Sequence, residues 1–339
     1  MRDPLRRGLG ALALLTPFVI GVSAAGADRD GEELFRFTDP EIVESSGLVV
    51  EGDRAHTVND SGDTGRVFTV DTATGETVGV TDWADGPQDV EALAPAGAGQ
   101  VWVADIGDNT TSRDSISVTR VPVGDGDRVV TQDAIDLVYP DGPRDAEALL
   151  AHPQTGRLYV ATKGVFSGEL HAAPPELAAD APNTLGLIAE IPGMVTDGAF
   201  FPDGEHLVLR TYTEAVVLSF PELDVVGSFE LPRQQQGEGI AVTSESHVLL
   251  SSEGQQAPVL RAALPRQVRQ ALAEAAPTMT ALPTPSAASE PTPAGQDGGA
   301  SAVDDLSAEV RDRDAWWWFA SGIVGLLVVL VLLRALKPR

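Results

Sequence analysis

The sequence predicts an all-β fold, a β-propeller of five four-stranded blades. Three observations carry that expectation. An acidic residue followed by small or apolar residues and a β-rich run opens five segments, at Glu44, Glu91, Glu147, Asp197 and Glu238. The openings are 47, 56, 50 and 41 residues apart, in the range of one propeller blade. Each segment then holds a hairpin turn such as Glu51-Gly52-Asp53 or Pro202-Asp203-Gly204, because tight hairpins need residues that tolerate positive φ.

Along the chain, residues 1–27 read as a secretory signal peptide. Arg2, Arg6 and Arg7 precede an apolar run over 9–22, and Ala25-Gly26-Ala27 offers a small-residue cleavage site. The spacing leaves the export route, Sec or twin-arginine, open. The propeller body spans 32–265. Leu34-Phe35-Arg36-Phe37 is β-like but has no partner upstream. Second strands are expected at 55–58, 101–104, 158–162, 206–209 and 248–251, and third strands at 67–71, 117–121, 169–172, 215–220 and 259–263. Fourth strands are expected at 77–80, 134–138, 185–190 and 225–230. The fifth blade lacks a fourth strand, so the N-terminal β-stretch is expected to join it, closing the ring and covering an open edge. Six blades is the other count, if the 107–115 connection holds a further strand.

Beyond residue 265 the composition changes. A short helix is expected at 266–276, and the whole of 266–315 forms a stalk linker rich in Pro, Ala and Ser, with too little apolar surface for a core. Trp316-Trp317-Trp318-Phe319 then leads an apolar run to residue 333. At ~1.5 Å per residue such a helix comes close to spanning a hydrocarbon core of ~30 Å. The tryptophans suit the outer interface, and the basic tail at 334–339 suits the cytoplasm. Leu282-Pro283-Thr284-Pro285-Ser286 lacks the glycine of a sortase signal, so the span is read as a retained single-pass anchor. The expected location is the cell membrane, with the propeller on the extracytoplasmic side.

Fifty acidic against 23 basic residues give a formal net charge of −27. A surface of that sign disfavours nucleic acid and anionic lipid as partners. There is no cysteine, which excludes a disulfide framework, a thiol nucleophile and a zinc–thiolate site. Lys163 is the one lysine of the body, arginine supplying the other positive charge. That bias suits a high-GC bacterial genome.

Asn59-Asp60-Ser61-Gly62-Asp63, Ala104-Asp105-Ile106-Gly107-Asp108-Asn109, Arg144-Asp145-Ala146-Glu147-Ala148-Leu149 and Ser252-Glu253-Gly254 resemble a group of secreted actinobacterial β-propellers. More distantly the chain is similar to esterase-like phytase, WD-repeat and TolB-like propellers, although the WD dipeptide is absent. The resemblance implies a propeller outside the cytoplasm and supplies no reaction.

In a propeller the innermost strand begins, and the second strand ends, on one face. Glu44, Glu91, Glu147, Asp197 and Glu238 are therefore expected around the channel mouth as candidate metal ligands. Asp60, Asp105, Lys163, Arg210 and Glu253 close the second strands on the same face as candidate ligand-binding residues. Eight acids against two cations need balancing, and Asp89 and Asp145 add to the excess. A bound Ca²⁺ or Mg²⁺ would supply charge. Raised pKa values would leave some carboxyls protonated as acid–base groups. Alternatively, bonds to neighbouring blades would make the acids structural. The loop Asn59–Gly65 has the oxygen-rich look of a Ca²⁺ loop without the EF-hand pattern, and Asp105–Asn109 is similar; either also reads as an Asx-type turn. His56, His152, His206 and His247 fall at the far end of the second strands and His171 on a third strand, and no G-x-S-x-G elbow exists, which argues against serine hydrolysis. Two functions remain: a membrane-tethered binding or scaffold module for an extracytoplasmic protein or small molecule, or a metal-dependent hydrolase of phytase-like or esterase-like kind.

Overall fold

The computed structural model describes residues 31–60, 62–84 and 86–275. The expected signal peptide, the stalk after residue 275, the membrane helix and the basic tail lie outside the described residues. Among the described residues no helix is long and apolar enough to cross a membrane.

Five sheets form the blades of a β-propeller. Blade one comprises Ser45–Glu51, Arg54–Asn59, Gly65–Asp71 and Thr77–Ala84, and blade two Val90–Pro95, Gln100–Asp105, Ile116–Pro122 and Ile135–Val138. Blade three holds Ala146–Ala151, Leu158–Thr162, Ser167–Ala172 and Gly186–Pro192; blade four holds Val195–Phe200, His206–Thr211, Glu214–Ser219 and Val225–Glu230. The fifth sheet contains Ile240–Val242, Val248–Leu250 and Pro258–Ala262, and its outer strand is Glu32–Arg36, paired antiparallel with Pro258–Ala262. Within each blade the four strands run antiparallel in order from the inside outward.

These strands are apolar on both faces because each blade is sandwiched between two others. Ala92, Ile106, Leu149 and Val160 fill the space between blades two and three. Ala148, Leu150, Phe200 and Leu209 fill the next, and Phe201, Val208, Ile240 and Leu250 the one after. Successive side chains of a strand point to opposite sheet faces. Leu149 therefore packs toward blade two while Leu150 packs toward blade four.

The 106–115 connection contains no strand, and the ring has five blades. Two short additions appear elsewhere. Arg128–Val129 pairs parallel with the outer strand of blade one, and Asn183–Thr184 with that of blade two. Leu185 N–H bonds Val138 O in blade two, so the outer strand of blade three starts at Gly186 rather than Leu185. The helix Arg266–Ala275 lies against the outer strand of blade four, with Val268 fully buried. Gly227 makes that approach possible, since a Cβ there would lie 2.5 Å from Gln267 Nε2.

Candidate functional site: an acidic channel mouth

Backbone hydrogen bonds fix which residues correspond from blade to blade. Asp60 N–H donates to Glu44 O, Gly107 N–H to Asp89 O, Lys163 N–H to Asp145 O and Glu253 N–H to Gln236 O. Glu44, Asp89, Asp145 and Gln236 are thus equivalent, and two residues on stand Ser46, Glu91, Glu147 and Glu238. In blade four the pairing of Val195 with Thr211 matches that of Ala146 with Thr162 in blade three, which puts Thr196 at this position. Glu91, Glu147 and Thr196 each sit at an irregularity in the first-strand ladder. A bulge re-aims the side chain it carries. Ser46 and Thr196 play matching parts. Ser46 Oγ donates to Glu91 O at 2.6 Å and Thr196 Oγ1 to Glu238 O at 3.2 Å, in each case the equivalent residue of the next blade. The ring is Ser46, Glu91, Glu147, Thr196 and Glu238: three carboxylates and two hydroxyls.

Glu44 lies two residues upstream of that ring and is exposed. Asp197 lies one residue downstream, and an offset of one turns a strand residue to the other face. It is fully buried against blade five, accepting Gly198 N–H and Ile240 N–H at 2.8 Å each. Burial pushes its carboxyl well up, opposed by those two bonds and Arg210. Arg210 enters the same interface, fully buried, donating through Nη1 to Gly239 O and Ser251 O and through Nη2 to Gln234 Oε1. Burial lowers its pKa to about 10. The surroundings of Asp197 and Arg210 are those of a polar clamp between blades four and five. Asp105 is likewise turned aside. It accepts Gln88 N–H, Asp89 N–H and Arg113 Nη1 at 2.7 Å.

The mouth brings other acids together. One carboxylate oxygen each from Asp60, Asp89 and Glu91 lies within 4.8 Å of the other two. Gly107 faces them without a side chain; a Cβ there would fall 2.6 Å from Glu91 Oε1. Glu91 is buried, and that burial, followed by Glu147, Asp60 and Asp89, drives its pKa up against the pull of Lys163. Burial also raises Glu147, whose Oε1 accepts Lys163 Nζ at 2.7 Å. The ammonium sits 5.6 Å from the ring centre of Tyr212. Glu147 and Tyr212 together outweigh burial and hold Lys163 charged. Glu238 is buried, first desolvation and then Glu147 pushing its pKa up to about 8. Its Oε2 has no hydrogen-bond partner. Glu253 is raised by burial and by Asp60 and Glu44.

Of the Asn59–Gly65 loop, Asp60 belongs to the acid cluster. Asn59 Oδ1 accepts Val43 and Glu44 N–H, its Nδ2 donates to Glu41 O and Asp63 Oδ2, and Asp63 pairs with Arg66. In the second loop Asp108 caps Ser112 and Arg113 N–H as a turn residue. His56, His152, His206 and His247 lie toward the other end of the channel. There a cavity of about 580 Å³ is lined by Leu48, Leu93, Leu149, Phe200, Ile240 and His152.

Tyr212 and the hydroxyl pair Ser46 and Thr196 escaped the reading of acids alone. The signal available for Ser46 was the Ser46-Gly47-Leu48 triplet, which aligns with Glu91-Ala92-Leu93 and Glu238-Gly239-Ile240. No protein-family model matches the chain, and no curated protein matches it. Neither comparison therefore links it to esterase-like phytases or WD-repeat proteins.

Proposed function

We propose that the chain is a membrane-tethered extracytoplasmic propeller that works as a binding module, with a hard divalent cation held at Asp60, Asp89 and Glu91. The observation that carries the reading is the meeting of three carboxylates from the first two blades within 4.8 Å. Carboxylates this close resist ionising together, and Ca²⁺ or Mg²⁺ supplies the charge that lets them do so. One feature supports the fit: Gly107 presents no side chain to the carboxylates of Asp89 and Glu91. Ca²⁺ takes six to eight oxygen ligands, so waters or a bound partner's oxygens would complete the shell. The tether rests on the signal-like residues 1–27 and the apolar run 316–333. Calorimetric titration of CaCl₂ into the full-length chain tests the cation. A native-state ligand also raises the melting temperature by mass action, and Glu91→Gln should abolish both effects. Identical melting curves in EDTA and in millimolar Ca²⁺ would sink the reading.

A metal-dependent hydrolase of phytase-like or esterase-like kind is the second reading. It is favoured by Glu238, whose pKa of about 8 would keep a proton at neutral pH for general-acid work. A phosphate site would need cations beside the metal, and four of those on this face are already engaged: Arg66 by Glu41 and Asp63, Arg113 by Asp105, Arg144 by Glu169 and Lys163 by Glu147. A phosphoesterase and esterase panel, with Glu91→Gln as control, separates the two readings.

A further inference from the structure

We infer that the rim of the mouth between blades three and four docks a basic polypeptide segment of a partner protein, anchored by an apolar residue on Phe166. The rim is a built apolar platform. The hairpin between the second and third strands of blade three carries Val165 and Phe166, 73% and 96% exposed, immediately after Lys163 and Gly164. A Phe left almost wholly in water has no role in the packing of its own blade. Its presentation is nonetheless fixed. Met194 N–H donates to Gly164 O at 2.7 Å, tying the blade three-to-four connection onto the hairpin. Gly193 sits against the Phe166 backbone, where a Cβ would fall 2.7 Å from Phe166 C. Met194 is held at φ 58 and is itself 36% exposed. Two glycines and a left-handed methionine thus hold the Val165–Phe166 hairpin against the Gly193–Met194 connection.

The charge of the whole face selects the partner. Lys163, beside the hairpin, is consumed by Glu147, and Arg144 by Glu169. Arg66 and Arg113 are likewise paired to acids. The connections of the same face carry Glu44, Asp89, Asp145 and Glu253 beyond those pairs, with the exposed Arg233 as the one further cation in the 231–239 connection. An apolar anchor on the same face as that excess of carboxylate suits a segment carrying Lys or Arg within a few residues of an aromatic or aliphatic side chain. The same charge, on a chain of net −27, opposes an anionic membrane surface and a second copy of the chain. The inference does not require the metal: the partner's cations meet Glu44, Asp145 and Glu253, outside the three proposed ligands.

Fluorescence anisotropy of the full-length chain with labelled synthetic peptides tests it. One peptide repeats Lys-Phe-Lys-Gly, a second replaces Phe by Ser, and a third replaces Lys by Glu. The first should bind most tightly, with affinity falling as salt rises. Phe166→Ser should weaken it about tenfold, as expected for losing one buried aromatic contact, to the level of the Ser peptide. Asp145→Asn with Glu253→Gln should weaken it and flatten the salt dependence. An unchanged melting temperature for Phe166→Ser shows that the fold is intact, as its exposure requires. Equal binding of the first two peptides, equal binding of the Glu peptide, or no effect of Phe166→Ser would overturn the inference. So would Phe166-dependent binding to phosphatidylcholine vesicles, or Phe166-dependent dimerisation in sedimentation. Ca²⁺ titration of Phe166→Ser should match the wild type, so the peptide and cation readings fail separately.

Discussion

Glu238 offers a direct test of how the mouth stores charge. Its pKa lies at about 8 against an ordinary 4.5, chiefly through burial and then through Glu147. A folded-state pKa above the unfolded one contributes stability that is fully present below pH 4.5. That stability is lost as the pH rises through about 8, because the unfolded chain ionises first. A shift of this size at ~1.4 kcal/mol per unit sets a ceiling of about 5 kcal/mol on the loss. Glu238→Gln keeps the shape and removes the titration. In EDTA its melting temperature should match the wild type near pH 4.5 and exceed it increasingly up to pH 9. The gap should reach several degrees, since ~1 kcal/mol moves the melting temperature ~2–4 °C in a domain of this size. Circular dichroism melts at half-unit pH steps measure the difference. A gap that stays constant across the pH range would refute the argument, because then no proton is linked to folding at Glu238.

The interblade clamp and two backbone features give further tests. Arg210→Met leaves Gly239 O, Ser251 O and buried Asp197 without their cationic partner, and should cost about 3–5 kcal/mol in urea denaturation; a loss under about 1 kcal/mol would contradict the clamp. Gly47 has φ 71, and a Cβ there would lie 2.5 Å from Leu93 N. Gly47→Ala should destabilise by about 1–3 kcal/mol, whereas Gly52→Ala, at φ 60 in open space, should cost less. His56 is buried beside Thr69 Oγ1, and burial lowers its pKa from 6.5 to about 4. A depressed folded-state pKa contributes stability above pH 6.5 that is lost as the pH falls through about 4. His56→Leu should therefore flatten the acid limb of the stability profile, read from melts between pH 7 and pH 4.

The acidic phrase located the blades well and the ring poorly. Glu91, Glu147 and Glu238 are ring residues, and Lys163 stands beside them as its strand position suggested. Glu44 and Asp197 carry the right chemistry at the wrong offset. Each begins a segment that looks like the repeat, but Glu44 aligns with Asp89, and Asp197 with Ala92 and Ala148. Asp89 drew notice through its charge and turns out to form, with Asp60 and Glu91, a group of acids within 4.8 Å of one another. Tyr212 gave no signal, because an aromatic residue after a strand ordinarily reads as core.

The sequence by itself determined that this chain is a propeller. Spacing, turn residues and the repeated acidic opening are local properties that recur often enough to specify blades. Which side chains reach the channel was decided by tertiary structure. A β-strand reverses its side chains at every residue, so one bulge or one residue of register exchanges mouth for interface. That is why the ring contains Ser46 and Thr196, while Asp197 and Arg210 are sealed between blades four and five.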